Sequence, residues 1–274
     1  MAPYTDTAVT GMTVGVTLDN GITTAYLYQR CFWPCDGLFA AQIANFLSCG
    51  RSKLVLRTNI PSTASVVQEQ SGGCLHSPAA ERNSGHIIEL VRSYAPESGN
   101  ALEIASGTGQ HIVKLAAAVP GLIWQPSDID ETRLNSIVSR SLAKQLPNLL
   151  PPIRLDVTVK GWSALCPNQD FVLLVNLLHL VSAAEVRAIV SGISQSLAEN
   201  GRCVIYGPFM RNGVLSSSGD KAFHQSLIEA DPDIGYKDDA WMLDLFRQQS
   251  LKIIKILEMP ANNLAFVMEK GNIN

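Results

Sequence analysis

A glutamate and two closely spaced glycines form the most informative chemical pattern in this chain. Glu103 ends a short apolar run and precedes Gly107 and Gly109. Glycine has no Cβ, so the backbone can turn sharply there and approach a ligand closely. A helix predicted over residues 110–118 directs its free N–H groups back at the turn. The pattern is typical of the crevice beyond the carboxyl end of a parallel strand, where nucleotide-like cofactors bind.

The residues around this turn indicate which cofactor it suits. A dinucleotide fingerprint needs a small residue at its third position for close helix–strand packing, and Ile112 stands there. The carboxylate of Glu103 instead suits a ligand that carries an amino group and a sulfonium, as S-adenosylmethionine does. Asp128 and Asp130 follow the second predicted strand, and an acid at that strand end can bind both ribose hydroxyls. We assign the ribose to Asp128 and expect a methyltransferase-type site. An ordinary βα crossover is the plainer alternative.

More polar residues follow the other predicted strands. Asp156 comes after the third strand, where it accepts a hydrogen bond from the exocyclic amine of adenine or serves as a simple turn residue. Asn176 and His179 follow residues 171–175, an apolar run expected of a strand buried on both faces. They are therefore expected at the ligand edge of the sheet. His111, in the first turn of the helix after Gly109, is expected to bind the methionyl part of the cofactor.

The methyl acceptor requires a separate set of residues. An acceptor that must lose a proton needs a general base, and His179 is the first candidate. A structural histidine at the strand end is the alternative. Tyr206, Asn262 and Asn263 are expected to line the substrate side of the same edge. We place His179, Asn176 and Tyr206 in the catalytic group, and we count Asn176 among the cofactor ligands as well.

A polar cluster opens the first helix of this region. Ser77 is a good N-cap and Pro78 suits the first helical position. Glu81, Arg82 and Asn83 follow in the first turn. The cluster is either a solvated helix start or a lid over the cofactor. On the second interpretation Arg82 and Asn83 join Ser106 of the glycine turn as cofactor-binding residues.

The elements that must position these residues alternate between strand and helix. Strands are predicted at 101–104, 122–124, 153–155, 171–175, 203–206, 251–258 and 264–268. Helices are predicted at 77–94, 110–118, 131–145, 182–198, 220–229 and 239–249. The short connection between the last two strands makes them antiparallel neighbours. The fold class is therefore α/β: a doubly wound, mostly parallel, seven-stranded Rossmann-like sheet of the class I methyltransferase type, with a terminal antiparallel hairpin.

Residues 1–73 differ in character from residues 74–274, which we assign to the methyltransferase domain. The first segment is rich in threonine and poor in charge, and Asn20-Gly21 between two β-prone runs predicts a hairpin. We expect this extension to be poorly ordered or docked on the main domain. Its cysteines have no zinc-ligand spacing, so no metal site is predicted.

The composition bounds the partners. The 274 residues are 46% hydrophobic and 16% charged, with a net charge of −3 and no apolar run of transmembrane length. We therefore expect a cytoplasmic protein with a small-molecule substrate and neither a nucleic-acid nor a membrane partner. The oligomeric state is left open.

Six ordered motifs resemble one known family. The chain from about Ser77 to Glu269 is similar to a group of predicted class I methyltransferases that includes methyltransferase-like protein 26. The matching segments are 77–83 (Ser-Pro-Ala-Ala-Glu-Arg-Asn), 103–111 (Glu-Ile-Ala-Ser-Gly-Thr-Gly-Gln-His), 124–130 (Trp-Gln-Pro-Ser-Asp-Ile-Asp), 155–158 (Leu-Asp-Val-Thr), 206–209 (Tyr-Gly-Pro-Phe) and 259–263 (Met-Pro-Ala-Asn-Asn). The resemblance implies the methyltransferase fold and S-adenosylmethionine as cofactor, but it implies no particular substrate.

The chain departs from that family between residues 210 and 237. The family usually has Asn where Asp220 stands, Asp at His224, a basic residue at Ala230 and Trp at Ile234. If this insertion contacts the substrate, the accepted molecule differs from that of its relatives.

Taken together, the sequence predicts an S-adenosylmethionine-dependent methyltransferase that acts on an oxygen or nitrogen nucleophile of a small molecule. A non-catalytic protein of the same fold that binds the cofactor or a partner is one alternative. An NAD(P)-dependent oxidoreductase is the other, and Ile112 argues against it.

Overall fold

The computed structural model describes residues 67–271 together with the backbone of two strands near the N-terminus. These strands, β1 (Met12–Asp19) and β2 (Ile22–Gln29), are antiparallel, and Asp19 pairs with Ile22. Two residues join them, at the position of the Asn-Gly turn signal. By its contacts the chain divides into two compact units, Met1–Leu56 and Arg57–Asn274. The predicted domain boundary at residue 73 stays a prediction.

The described part of the second unit holds ten strands and six α-helices. The strands are β3 (Gln68–Glu69), β4 (Leu75–His76), β5 (Gly99–Ile104), β6 (Leu122–Asp128), β7 (Ile153–Arg154), β8 (Gln169–Val175), β9 (Leu197–Met210), β10 (Lys237–Asp238), β11 (Leu251–Met259) and β12 (Asn263–Lys270). The helices are α1 (Pro78–Tyr94), α2 (Gln110–Ala118), α3 (Glu131–Lys144), α4 (Ala183–Ser196), α5 (Ser218–Ala230) and α6 (Asp239–Gln248).

One mixed sheet organises this unit. Its strand order is β11-β12-β9-β8-β5-β6-β7, and the short β10 pairs with the end of β9. The pairs from β9 to β7 are parallel, whereas β12 is antiparallel to both β9 and β11. The predicted doubly wound sheet with a terminal antiparallel hairpin is confirmed.

Helices pack on both faces of the central strands. Successive side chains of a strand point to opposite faces, so the side chains of one strand enter two separate apolar layers. In β5, Ala101 packs on the side of α1, α2 and α3, whereas Leu102 and Ile104 pack on the side of α4 and α6. All three side chains are fully buried. This two-sided burial explains the nearly continuous apolar runs of the central strands.

The strand β9 is longer than the sequence predicts. The Asn-Gly pair at 200–201 was expected to separate a helix from a strand that begins at Cys203. Instead β9 starts at Leu197, with Asn200 at φ +59°. The pairing between β8 and β9 shifts register between Gln169 and Phe171. Residues 200–201 therefore form an irregularity within β9 and not a turn before it.

None of the helices in the part of the chain that the structure describes combines the length and hydrophobicity that spanning a bilayer requires.

Candidate functional site

A cavity of about 660 Å³ opens at the carboxyl ends of the parallel strands. This edge is where open α/β sheets bind ligands. One part of the lining comes from the start of α1, the end of β5 and the following turn into α2. Its residues are Ser77, Pro78, Ala79, Ala80, Arg82, Glu103, Ala105, Ser106, Gly107, Thr108 and His111. The remaining lining residues are Val67, Arg133, Val175, Asn176, His179, Leu180, Pro208, Phe223, Tyr236, Ala261 and Asn263.

Left-handed backbone shapes the turn after β5. Ala105 has φ +53° and Gly107 has φ +58°. Alanine pays a steric cost in this region that glycine does not. The neighbouring strand stabilises the turn, because Ser106 N–H donates to the carbonyl oxygen of Ser127 at 2.7 Å and Ser127 Oγ donates to that of Glu103 at 2.8 Å. The turn is therefore anchored to the end of β6.

Gly109 has a packing role. It has φ +78°, and an added Cβ would lie 3.1 Å from both Cα and Cγ1 of Ile137 in α3. Gly109 is not among the residues that line the cavity. Gly109 therefore allows the close approach of the turn to α3, and its predicted part in cofactor binding stays a prediction.

Glu103 is the most unusual side chain of the site. It lines the cavity, yet only 1% of its surface is exposed. Among residues 67–271, none provides a hydrogen-bond partner for its Oε2 atom. Burial raises the pKa of Glu103 to about 8, the negative charge of Asp128 adds to this, and a hydrogen bond with Ser106 opposes it. A buried polar atom without a partner is costly, so this carboxyl group is prepared for a cationic or hydrogen-bonding ligand.

Asp128 lies at the end of β6, beside the glycine turn. Its Oδ2 accepts from Gly107 N–H at 2.9 Å and its Oδ1 from Asp130 N–H at 3.0 Å. The side chain is buried, and burial raises its pKa. Asp130 instead caps α3 by accepting from Arg133 N–H at 2.9 Å. Of the two acids, Asp128 is thus the one that contacts the turn.

The start of α1 forms one wall of the cavity. Ser77 caps the helix, as predicted, by accepting from Ala80 N–H. Gln110 fixes this turn over the site: its Oε1 accepts from Ser77 N–H at 2.6 Å, and its Nε2 donates to Glu81 at 3.1 Å. Arg82 lines the cavity from the same turn.

Three polar side chains connect α1, α2 and β9. His111 Nε2 lies 2.7 Å from Oδ1 of Asn83. Burial lowers the pKa of His111 to about 4, so the ring is neutral at pH 7. Tyr206 is buried, which raises its pKa, while a hydrogen bond with the Asn83 side chain acts in the opposite direction. His111 lines the cavity, whereas Asn83 and Tyr206 lie behind it.

His179 meets two aromatic residues at the other end of the cavity. It lies in a short 3-10 helix, Leu178–Leu180, that follows β8. Its ring packs edge-to-face on Phe223 at 5.7 Å and on Tyr236 at 6.3 Å between ring centroids. Burial lowers the pKa of His179 to about 3, and the positive charge of Lys237 acts in the same direction. The imidazole is therefore neutral and weakly basic.

The predicted asparagines take different positions. Asn176 lines the cavity at φ +56°, and its N–H donates to the carbonyl oxygen of Tyr206 at 2.9 Å. Asn263 also lines the cavity, and its Nδ2 donates to the carbonyl oxygen of Pro260. Asn262 is exposed and donates from Nδ2 to Asp220 at 2.9 Å.

Asp156 forms a local turn beyond β7. Its Oδ1 accepts from both N–H and Oγ1 of Thr158, at 3.0 and 2.6 Å. It is half-buried and lies outside the cavity lining. The turn-residue alternative therefore has structural support, and the contact with adenine stays a prediction.

The structure adds residues that the motif search did not select. Phe223 and Tyr236 come from the insertion after β9, Arg133 from α3, and Ala105 from the turn. Aromatic residues in an insertion after a central strand are a usable signal, because loops at this edge carry ligand contacts. The left-handed backbone of Ala105 left no signal in its residue type.

Several solved structures that align with this chain are described as methyltransferases. An O-methyltransferase family protein from Burkholderia thailandensis aligns with a TM-score of 0.61 and 14% identity over 72% of this chain and 58% of that one. Human N-acetylserotonin methyltransferase, solved in complex with SAM, aligns with a TM-score of 0.58 and 11% identity over 71% of this chain and 53% of that one. An O-methyltransferase family 2 protein from Planctomyces limnophilus, in complex with apigenin, aligns with a TM-score of 0.58 and 16% identity over 70% of this chain and 60% of that one.

These similarities establish the class I methyltransferase fold. This chain spans less than two thirds of the length of each of those proteins. A family model described as "Protein of unknown function (DUF938)" matches residues 75–270, which is most of the chain and contains β5, the glycine turn and nearly all of the cavity lining. The chain therefore belongs to the DUF938 family.

Proposed function

We propose that the protein is an S-adenosylmethionine-dependent methyltransferase that modifies an oxygen or nitrogen nucleophile of a small molecule. The observation that carries this proposal is Glu103, whose buried Oε2 has no partner among the described residues and lines the cavity beside the glycine turn. A carboxyl group in this position binds an ammonium group, and the methionyl part of the cofactor carries one. The motif resemblance to the group that includes methyltransferase-like protein 26 supports the same conclusion.

Other residues of the site complete the cofactor contacts. Glu103 would hold the ammonium group, His111 and Ser106 the rest of the methionyl part, and Asp128 the ribose. Gly107 lets the backbone approach the ligand at φ +58°. Arg82 and its neighbours in the first turn of α1 line the cavity, which favours the interpretation of this turn as a lid. When bound, S-adenosylmethionine supplies a methyl group made electrophilic by its sulfonium.

The acceptor side is proposed to lie against Asn176, His179 and Asn263. The chain has to hold the nucleophile about 3 Å from the carbon that it attacks and to exclude water. His179 contributes more by shape than by proton transfer, since a base with a pKa of about 3 takes little of an acceptor's proton at neutral pH. Tyr206 acts through Asn83, with which it shares a hydrogen bond.

Cofactor binding tests the proposal directly. S-adenosylhomocysteine, which retains the ammonium group, is titrated by calorimetry into the wild type, Glu103→Gln and Glu97→Gln. Glu97 is an exposed residue just before β5 and provides the matched control. Loss of a charge-assisted hydrogen bond should weaken binding by Glu103→Gln by about 10- to 100-fold. The Glu97 variant should bind as the wild type does.

Two other outcomes identify the alternative functions. Binding of NAD without binding of S-adenosylhomocysteine would overturn the proposal in favour of an oxidoreductase. Transfer is then tested by incubating the wild type with methyl-labelled S-adenosylmethionine and a cell extract, followed by separation of small molecules, protein and RNA. Label in small molecules is expected. Cofactor binding without any transfer would leave the non-catalytic alternative.

A further inference from the structure

The acceptor end of the cavity carries an aromatic wall, which we define as His179, Phe223 and Tyr236. The three rings meet pairwise and edge-to-face, with the Phe223 and Tyr236 centroids 6.0 Å apart. All three residues line the cavity. They come from three separate places: the 3-10 helix after β8, the helix α5, and the segment before β10. Only the fold brings them together.

Hydrogen bonds fix the orientation of Tyr236 in this wall. Its hydroxyl group donates to Oδ1 of Asp220 at 3.2 Å, and its backbone N–H donates to Nδ1 of His224 at 3.0 Å. Asp220 and His224 are not among the lining residues. Because the hydroxyl group is engaged behind the wall, Tyr236 offers its ring to the cavity.

The backbone also holds His179 against the same segment. The carbonyl oxygen of His179 accepts from Gly235 N–H at 3.0 Å. A Cβ on Gly235 would come within 3.0 Å of the His224 ring, so the segment packs closely. The wall is therefore preorganised, and a ligand that binds it pays little to order these side chains.

Among the described residues from β8 onward that line the cavity, none has an ionised side chain. From β8 onward, the lining side chains include the apolar Leu180 and Pro208, two amides and the neutral ring of His179. The lining residues with ionisable side chains of ordinarily charged type, Arg82, Glu103 and Arg133, belong to α1, β5 and α3. An ionised acceptor that binds against the residues from β8 onward would lose its hydration without gaining an ion pair with them.

We propose, on the basis of the proposed function, that the methyl acceptor binds through an uncharged aromatic ring laid against the aromatic wall. Flat rings gain from edge-to-face and offset contacts beyond the area that they bury. A saturated ring of equal size would lack these aromatic contacts, and an ionised ring would lose the free energy of its hydration. The acceptor class is thus a small aromatic molecule whose ring carries the oxygen or nitrogen nucleophile.

The test compares three ligands built on the same fused two-ring carbon skeleton by calorimetry, with and without saturating S-adenosylhomocysteine. The probes are 2-naphthol, its saturated analogue decahydro-2-naphthol and the anionic 6-hydroxy-2-naphthoate. We expect 2-naphthol to bind about tenfold more tightly than either of the others. Equal affinity for the saturated analogue, or tighter binding of the anion, would overturn the proposal.

Two substitutions at the half-buried Phe223 assign the effect to the wall. Phe223→Leu keeps an apolar side chain but removes the ring, whereas Phe223→Tyr keeps the ring. The first should weaken 2-naphthol binding about fivefold and the second should leave it within about twofold, with S-adenosylhomocysteine affinity unchanged in both. Equal 2-naphthol affinity in wild type and Phe223→Leu would refute the role of the ring. A failure of the proposed function appears separately, as absent binding of S-adenosylhomocysteine to the wild type.

Discussion

At the scale of single residues, the site depends on groups whose charge the fold suppresses. Glu103, His111 and His179 are all buried. Burial raises the pKa of Glu103 and lowers the pKa of both histidines, so it favours the neutral form of each side chain. Because these three groups lie in surroundings of low dielectric constant, the contacts that they make with a charged ligand are stronger than the same contacts in water. The burial of the Glu103 carboxyl group has a cost in folding free energy whenever the site holds no ligand.

Glu103 gives a pH dependence of stability with a definite sign. A glutamate ordinarily has a pKa of 4.5, and burial raises the pKa of Glu103 to about 8, so the folded state binds the proton more tightly than the unfolded state does. The stability linked to this proton is fully present below pH 4.5 and is lost as the pH rises through 8. We expect the free energy of unfolding of the wild type to fall relative to that of Glu103→Gln by about 2–4 kcal/mol between pH 5 and pH 8.

Urea unfolding of both proteins at several pH values measures this difference. Other titrating groups, including Asp128, are common to the two proteins and largely cancel. A constant difference between pH 5 and pH 8 would show that Glu103 titrates as an exposed glutamate does.

At the scale of elements, the insertion between β9 and α6 forms one side of the site. The helix α5 is capped by Ser217, which accepts from Asp220 N–H at 3.1 Å. The Asp220 carboxylate then accepts from Ser217, Asn262 and Tyr236, and so connects α5 to the β11–β12 turn and to the aromatic wall. Without this carboxylate the insertion would have fewer contacts that fix its position over the cavity.

Removal of the Asp220 carboxylate should therefore destabilise the insertion. Asp220→Ala leaves the hydroxyl group of Tyr236 without its acceptor, and we expect a loss of about 2–3 kcal/mol in the free energy of unfolding. Asp220→Asn keeps one acceptor oxygen and should lose less. Thermal unfolding followed by circular dichroism gives the comparison. Equal stability of the alanine variant and the wild type would show that these hydrogen bonds contribute nothing net.

At the scale of the whole molecule, the described core and cavity lie within one unit. The mixed sheet, its two apolar faces and the lining residues all fall between residues 67 and 270. A single core of this kind is sufficient for independent folding in domains of this size. We expect the unit Arg57–Asn274 to fold without residues 1–56.

A fragment of residues 57–274 tests this expectation. It should show a cooperative thermal transition and bind S-adenosylhomocysteine with an affinity within about threefold of the full chain, since every residue that lines the cavity belongs to the fragment. A fragment that is insoluble or unfolds without cooperativity would mean that residues 1–56 are required for folding.

Local patterns predicted most elements of the second unit. The helix α2 runs over the predicted residues, and α4 begins directly after Ser182, where a helix was predicted to begin and where Ser182 and Glu185 form a capping box. These features depend on neighbours within one turn of the chain, so the sequence contains the relevant information. The length of β9 depends instead on its pairing with β8 and β12, which local patterns do not describe.

The cofactor half of the site was more predictable than the acceptor half. Glu103, Ser106, Gly107 and His111 belong to one strand–turn–helix unit, and the structure brings them to one cavity. Their roles as ligands of the cofactor stay predictions. The aromatic wall was not predicted, because its three residues are distant in sequence and meet only through the sheet order.

The sequence by itself determined the fold class and the glycine turn, because strand and helix periodicities and turn residues act over a few positions. Only the tertiary structure decided which polar groups lose water and which rings meet. Burial leaves Oε2 of Glu103 without a described partner and lowers the pKa of His179 to about 3, so the first candidate for a general base is a weak base. Solvation and long-range contact belong to the packed molecule as a whole, so residue order alone cannot fix the chemistry of this site.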